Sequence, residues 1–387
     1  MGLLERLVDR IVATPLESDG LSYGRSGVAL LLAYYARLTG STDHHHKCIE
    51  LISSVFNRFN TPESSINSPD YYNGLIGFTW VVDHLRRNDF FELDSTELDY
   101  FDSIIFNWTV TELESGNYDF FSGGAGGLNY LAHRSETAEE HRERIERLLS
   151  ALGRCTQVSG KHGIPINKKY NRGEGFSENT INYGLAHGVA SIAVFLARVV
   201  QSFPDCTNAK DSLVAIVESF RRHAAEFSES QYYGYANLYD CDTNKPLVQQ
   251  RLGWCAGDLN QVQIESLTGA VTGCRTYTRS AATNFEKVLS RNTPALHGVA
   301  DHHLCHGYAG LLVYTNALNR KFHNQNCPSF SVHCIDNILG HYRKESSSST
   351  SRPAKTDSLF YGDVGVALSI VSTLRPDLAG WTEIILI

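Results

Sequence analysis

No stretch of the chain approaches the ~18 consecutive apolar residues that a membrane-spanning helix needs. The first twenty residues, MGLLERLVDRIVATPLESDG, mix acids and bases too closely for the apolar core of a signal peptide. A cytoplasmic protein is expected, meeting a membrane only through partners. Basic charge is also short: 34 Lys and Arg against 42 Asp and Glu give a formal charge of −8, so no basic excess exists to neutralise phosphates and nucleic acid is not the expected partner. Cys-x-x-Cys pairs are missing, which sets the chain apart from zinc fingers. Its nine cysteines are an odd number scattered over 387 residues, and in a reducing compartment they read as free thiols or metal ligands rather than a disulfide framework.

What is present is a repeat. Seven segments share a short polar or aromatic lead-in, a glycine, a small residue three positions on, and an apolar run. They are YGRSGVALLLAYYARL, YYNGLIGFTWVVDHL, FFSGGAGGLNYLA, YGLAHGVASIAVFLARV, GWCAGDLNQVQIESL, LCHGYAGLLVYTNAL and FYGDVGVALSIVSTL. The anchor glycines Gly24, Gly74, Gly123, Gly188, Gly257, Gly307 and Gly362 follow one another at steps of 50, 49, 65, 69, 50 and 55. Between them lie amphipathic stretches such as AEEHRERIERLLSALG, with apolar residues at three- and four-residue spacings. Each repeat therefore predicts an apolar inner helix and an amphipathic outer one, starting where crowded backbones leave no room for a Cβ. At the second glycine position Ser191 and Asn260 are the two exceptions. The terminal repeats are as apolar as the middle ones, which favours closure into a ring over an open solenoid. The reading is all-α, an α/α toroid of seven inner and seven outer helices, formed as one domain over residues 1–387. The segments SGKHGIPINKKYNRGEGFSENTIN and RKESSSSTSRPAKTD read as loops.

Equivalent positions in a repeat predict proximity. Immediately before the anchors stand His187, Cys255, and the adjacent Cys305 and His306, in three consecutive repeats; the other four repeats offer Tyr23, Asn73, Ser122 and Tyr361. Two thiolates with one or two imidazoles form a ligand set for Zn²⁺. With Cys255, Cys305 and His306 as ligands, a fourth position is open, and a substrate thiol entering there would lose its proton readily. His44, His45 and His46 are expected in an outer connection, have no aligned partners and read as solvated. His302 and His303 lie close by, but their offset from Gly307 matches nothing in the other repeats.

Together GLAHG, WCAGD and LCHG, in this order and with seven glycine-rich inner helices, resemble the lanthionine synthetase C-like family, the lanthipeptide cyclases. The resemblance implies a toroid with one Zn²⁺ per chain, held by Cys255, Cys305 and His306. It implies that His187 is a general acid or base rather than a ligand. The implied reaction is conjugate addition of a precursor-peptide cysteine to dehydroalanine or dehydrobutyrine, forming a thioether ring. Asp119 and Arg251 match two further family positions: Asp119 would orient His187, and Arg251 would hold an enolate or peptide oxygen. Implied partners are the dehydrated precursor peptide, a dehydratase and an ABC transporter. The chain departs from the bacterial pattern at Ala256, where a Tyr is frequent. A zinc- and glutathione- or thiol-binding relative without cyclase activity is the alternative; a toroid glycosidase, which needs paired carboxylates, ranks last.

Overall fold

The computed structural model describes residues 1–134, 138–159, 163–167, 169, 177–224, 234–247, 251–347 and 356–387. Among these the helices begin with α1 (Gly2–Ala13), α2 (Arg25–Thr39), α3 (Thr42–Arg58), α4 (Leu75–Arg87) and α5 (Asp99–Glu114). They continue with α6 (Gly124–Leu131), α7 (Ala138–Ser159), α8 (Val189–Ser202), α9 (Thr207–Arg222) and α10 (Asp258–Thr272). The last five are α11 (Arg275–Ser290), the single turn α12 (Pro294–His297), α13 (Tyr308–Phe322), α14 (Cys327–Ser347) and α15 (Asp363–Leu374). Parts of the two expected loops, residues 170–176 and 348–355, lie outside the described residues.

Seven of these helices follow the anchor glycines: α2, α4, α6, α8, α10, α13 and α15. They are buried on every side, with Leu75 to Leu85 of α4 and Val189 to Ala197 of α8 covered without a break, and in α10 the covered residues include Asp258, Asn260 and Glu265. The amphipathic helices bury one stripe each. α3 covers only Cys48, Leu51, Ile52 and Val55, at the expected three- and four-residue spacing. His44, His45 and His46 belong to the first turns of α3, not to a connection; Ser41 caps that helix, and its Oγ lies 2.7 Å from His44 Nδ1.

The chain divides into two compact units, residues 1–102 with 299–387 and residues 103–298. In the first, α13, α15, α2 and α4 pack side by side in that order, with α14 on α13 and α3 on α2. The outer partner of α15 is α1, so the start of the chain completes its last repeat. The seam is pinned by backbone and charge. Leu359 N–H donates to Ser22 O at 2.9 Å, and the Arg10 guanidinium lies 2.6 Å from buried Asp363, whose other oxygen accepts from Tyr342 Oη at 2.6 Å. First and last repeats are thus neighbours, which an open solenoid does not allow.

In the second unit α6, α8 and α10 pack in that order, with α9 on α8 and α11 on α10. It also holds a small antiparallel sheet, β1 (Thr180–Asn182), β2 (Leu238–Asp240) and β3 (Lys245–Leu247), whose first strand lies in the first segment expected to be loop. Strands of three residues are too short to show an alternating pattern.

The glycines explain how the inner helices begin. All seven N-caps are the anchor glycines, and none carries a side-chain cap. The first N–H groups of a helix need partners from outside it, and here the lead-in backbone supplies them. Arg25 donates to Ser18 O at 3.0 Å, Leu75 to Ser68 O at 3.0 Å, Gly124 to Asn117 O at 3.0 Å and Tyr308 to Asp301 O at 2.9 Å. Each acceptor lies six residues before its glycine, folded directly beneath the helix start. A Cβ on Gly24 would come within 2.1 Å of Ser18 O, and one on Gly188 within 2.3 Å of Asn182 O. The second glycine clears the next carbonyl: a Cβ on Gly27 would sit 2.3 Å from Leu21 O, and one on Gly365 2.0 Å from Leu359 O.

Gly27→Ala should therefore lower unfolding free energy by about 1–3 kcal/mol through overpacking. Gly153→Ala, in outer helix α7 with nothing within 4 Å of the added carbon, should raise it by about 0.5–1 kcal/mol. Denaturant midpoints of the two variants measure the contrast, and equal stability would refute the close-approach account.

Candidate active site

The second unit joins Asp119 to His187. Asp119 sits in the lead-in to α6, where its Oδ1 accepts from the N–H groups of Phe121 and Ser122, both at 2.9 Å, and from Ser122 Oγ at 3.2 Å. This turn fixes the carboxylate. Its Oδ2 lies 2.6 Å from His187 Nδ1. A carboxylate only accepts, so Nδ1 carries the hydrogen of the neutral ring. The Asp119 side chain is 7% exposed and that of His187 is 39% exposed, so a buried anchor holds an imidazole that a solute can reach. Burial works against charge on His187, but the hydrogen bond and negative charge of Asp119, aided by Cys255, outweigh it and raise the imidazole above its ordinary 6.5.

The loop that carries Cys255 is tied to the loop that carries His187. Cys255 O accepts from Leu185 N–H at 2.9 Å and Ala186 N–H at 3.1 Å. Asn260 adds a second link. It occupies the place of the second glycine, and its side-chain amide donates to Trp254 O at 2.9 Å while its Oδ1 accepts from Leu185 N–H at 3.3 Å. In five of the seven repeats this position is glycine, and a Cβ on Gly27, Gly77, Gly310 or Gly365 would strike the carbonyl six residues back; Asn260 hydrogen-bonds to that carbonyl instead. The sequence marked Asn260 only as an exception. Ser191, the other exception, turns its hydroxyl onto Gly188 O at 3.0 Å. Trp254 is fully buried, its ring 5.5 Å from that of Phe121, and it serves as packing under Cys255. Arg251 is exposed, and its guanidinium forms no ion pair among the described residues.

In the first unit Cys305 and His306 lead into α13. Cys305 is 2% exposed, its N–H donates to Phe360 O at 2.9 Å, and its Sγ lies 3.7 Å from Tyr361 Oη. Tyr361 precedes Gly362 as Cys305 and His306 precede Gly307, so repeat position does signal it, although its role as a neighbour of sulfur does not show in the sequence. The two histidines set aside by their offset take opposite directions. His302 stacks on His341 with ring centres 3.6 Å apart, and burial together with His341 lowers it to about 3, so it stays neutral. The ring of His303 meets His306 edge-on at 4.4 Å.

Asn260→Ala leaves the Trp254 carbonyl short of a partner and should cost about 1–3 kcal/mol in unfolding free energy, with faster amide exchange at Leu185. Exchange unchanged from wild type would show that Asn260 does not tie the loops. Asp119→Asn removes the charge that raises His187, so the imidazole should titrate at lower pH, read by NMR; an unshifted titration would contradict the pairing.

A family model described as "Lanthionine synthetase C-like protein" matches residues 15–386. "Nisin biosynthesis protein NisC" of Lactococcus lactis subsp. lactis is 24% identical over 351 residues, spanning 84% of this chain and 80% of that protein. A solved structure titled "Nisin cyclase" superimposes with a TM-score of 0.78 at 18% identity, covering 99% of this chain and 96% of its own. That likeness gives the fold, and it bears out the all-α toroid expected from the repeats. No helix among the described residues is long and apolar enough to cross a membrane. The family match runs through all seven inner helices and every candidate site residue, and the chain belongs to the lanthionine synthetase C-like family.

Proposed function

We propose that the chain is a zinc-dependent lanthipeptide cyclase that closes thioether rings in a dehydrated precursor peptide, working as one domain beside a dehydratase and an ABC transporter. The observation that carries the reading is the donor set. Cys255, Cys305 and His306 stand one or two residues ahead of the anchor glycines of consecutive repeats, and two sulfurs with one imidazole nitrogen would fit Zn²⁺ while leaving a tetrahedral position open. The family, with its nisin-biosynthesis relative, supports a peptide as substrate.

Zinc bound there would supply a Lewis acid that lowers the pKa of an entering cysteine thiol. The remaining work falls to the chain. His187, oriented through Nδ1 by Asp119, presents Nε2 to take the thiol proton. The sulfur then bonds to Cβ of the dehydro residue, and the C=C electron pair moves onto the carbonyl as an enolate. The imidazolium, kept protonated to higher pH by Asp119, returns a proton to Cα, so S–H has added across the double bond. Exposed Arg251 is free to hold the enolate oxygen by a charge-assisted hydrogen bond. With Ala256 in place of a phenol, His187 is the proton donor.

Incubation with a dehydrated peptide, followed by thiol alkylation and fragmentation, tests the reaction. Thiols should become inaccessible and map to thioether rings; thiols that all stay reactive with zinc present would leave only a thiol-binding protein. Cys305→Ala should lose its zinc, and full occupancy would overturn the ligand assignment. His187→Ala should keep its zinc and turn over about 10²–10⁴-fold more slowly, whereas loss of zinc would make His187 a ligand.

A further inference from the structure

His306 has a second set of neighbours, all within the first unit. Asp301 Oδ2 lies 3.7 Å from His306 Nε2 and 3.7 Å from His303 Nε2. A hydrogen bond would draw nitrogen and oxygen to about 2.7–3.2 Å. Two donors on one tetrahedral ion, with bonds of about 2.1 Å, sit ~3.4 Å apart. The observed spacing is too wide for the first and close to the second, and the three residues form a group whose ligand atoms lie within 4.8 Å of one another.

The backbone holds this arrangement ready. Tyr308 N–H donates to Asp301 O at 2.9 Å and Ala309 N–H to His302 O at 3.1 Å, closing residues 301–307 into a turn under α13. Inside that turn His302 faces His341 while His303 faces His306. His303 is largely covered, with a side-chain exposure of 12%, and Asp301 is open at 58%. An ion could enter from the Asp301 side and keep water on its remaining positions.

We propose that Asp301, His303 and His306 form a second divalent-metal site that competes with the sulfur-containing centre for His306. Binding stands on these three residues alone; the competition rests on the zinc reading of Cys255, Cys305 and His306. Two imidazoles and a carboxylate accept Co²⁺, Ni²⁺ or Zn²⁺ and offer no thiolate. At scarce metal the thiolate set holds the ion. In excess, a second ion occupies the nitrogen and oxygen donors, and the first centre loses its imidazole. Excess divalent metal is then an inhibitor.

The test titrates the full-length protein, its zinc content first fixed by elemental analysis, with Co²⁺ under visible and near-ultraviolet absorption. Wild type should gain cobalt d–d bands without added thiolate-to-metal charge transfer. Asp301→Asn and His303→Ala should weaken that uptake by at least the roughly 10- to 100-fold that loss of even an outer partner costs, with zinc content unchanged. Asp301 is exposed, so its substitution leaves the core intact, and equal cobalt uptake by Asp301→Asn and wild type would overturn the site. Cys305→Ala separates the two readings. If it still takes up cobalt without charge transfer, and adding Asp301→Asn abolishes this, the second site stands even where the zinc reading fails. Excess Zn²⁺ should slow ring formation in wild type more than in Asp301→Asn; equal slowing would overturn the competition.

Discussion

A carbonyl passing beneath a helix start is the constraint on which the rest of this structure depends. Every inner helix begins at a glycine, and in α2, α4, α6 and α13 the lead-in folds under it closely enough for its carbonyls to take the helix's first N–H groups. The contact leaves little latitude. Once the residue six before the glycine is held, the one or two residues just ahead of the glycine have a fixed place relative to their own helix. His187, Cys255, Cys305 and His306 all occupy such places. For Cys305 and His306 the turn is closed by the same hydrogen bonds that cap α13, so the proposed chemistry and the fold would share them.

The inner helices and the outer stripes were legible in the sequence because each reflects local spacing: a glycine, a second glycine three residues on, apolar residues at helical intervals. Other features depend on partners far along the chain. That α1 is the outer helix of the last repeat follows from its contact with α15, and nothing in MGLLERLVDRIVA announces it. Asn260 looks like a lapse in the glycine pattern, and only its bonds to Trp254 and Leu185 show a substitution that exchanges a steric gap for two hydrogen bonds. His303 failed the alignment test because its offset from Gly307 is not repeated elsewhere, although its ring meets His306 from its own turn and Tyr361 from the next repeat. Asp119 and Arg251 could be singled out only through the family resemblance; as isolated residues they look like any loop charge.

The charges near His187 and His306 show two ways of managing an imidazole. Asp119 spends one oxygen on its own turn and the other on His187, so its orientation does not depend on the partner it positions. Asp301 is exposed, stands off from both histidines by the same distance, and holds neither. The first arrangement fixes a tautomer and favours the protonated ring. The second leaves donors spaced but unjoined. A buried, saturated carboxylate and an exposed, loosely placed one thus give two histidines of the same fold different surroundings.

The pairing of α1 with α15 also sets an order of events at the ribosome. Leu4, Leu7, Val8 and Ile11 form the buried face of α1, yet the helix they pack against begins 350 residues after α1 ends. At about 5–20 residues per second of synthesis, that apolar stripe waits roughly 20 to 70 s for its partner. During this interval it is a short amphipathic helix without a home, the kind of surface that holding chaperones recognise and that neighbouring nascent chains can capture. The last repeat to be translated is the one that takes the first helix out of solvent.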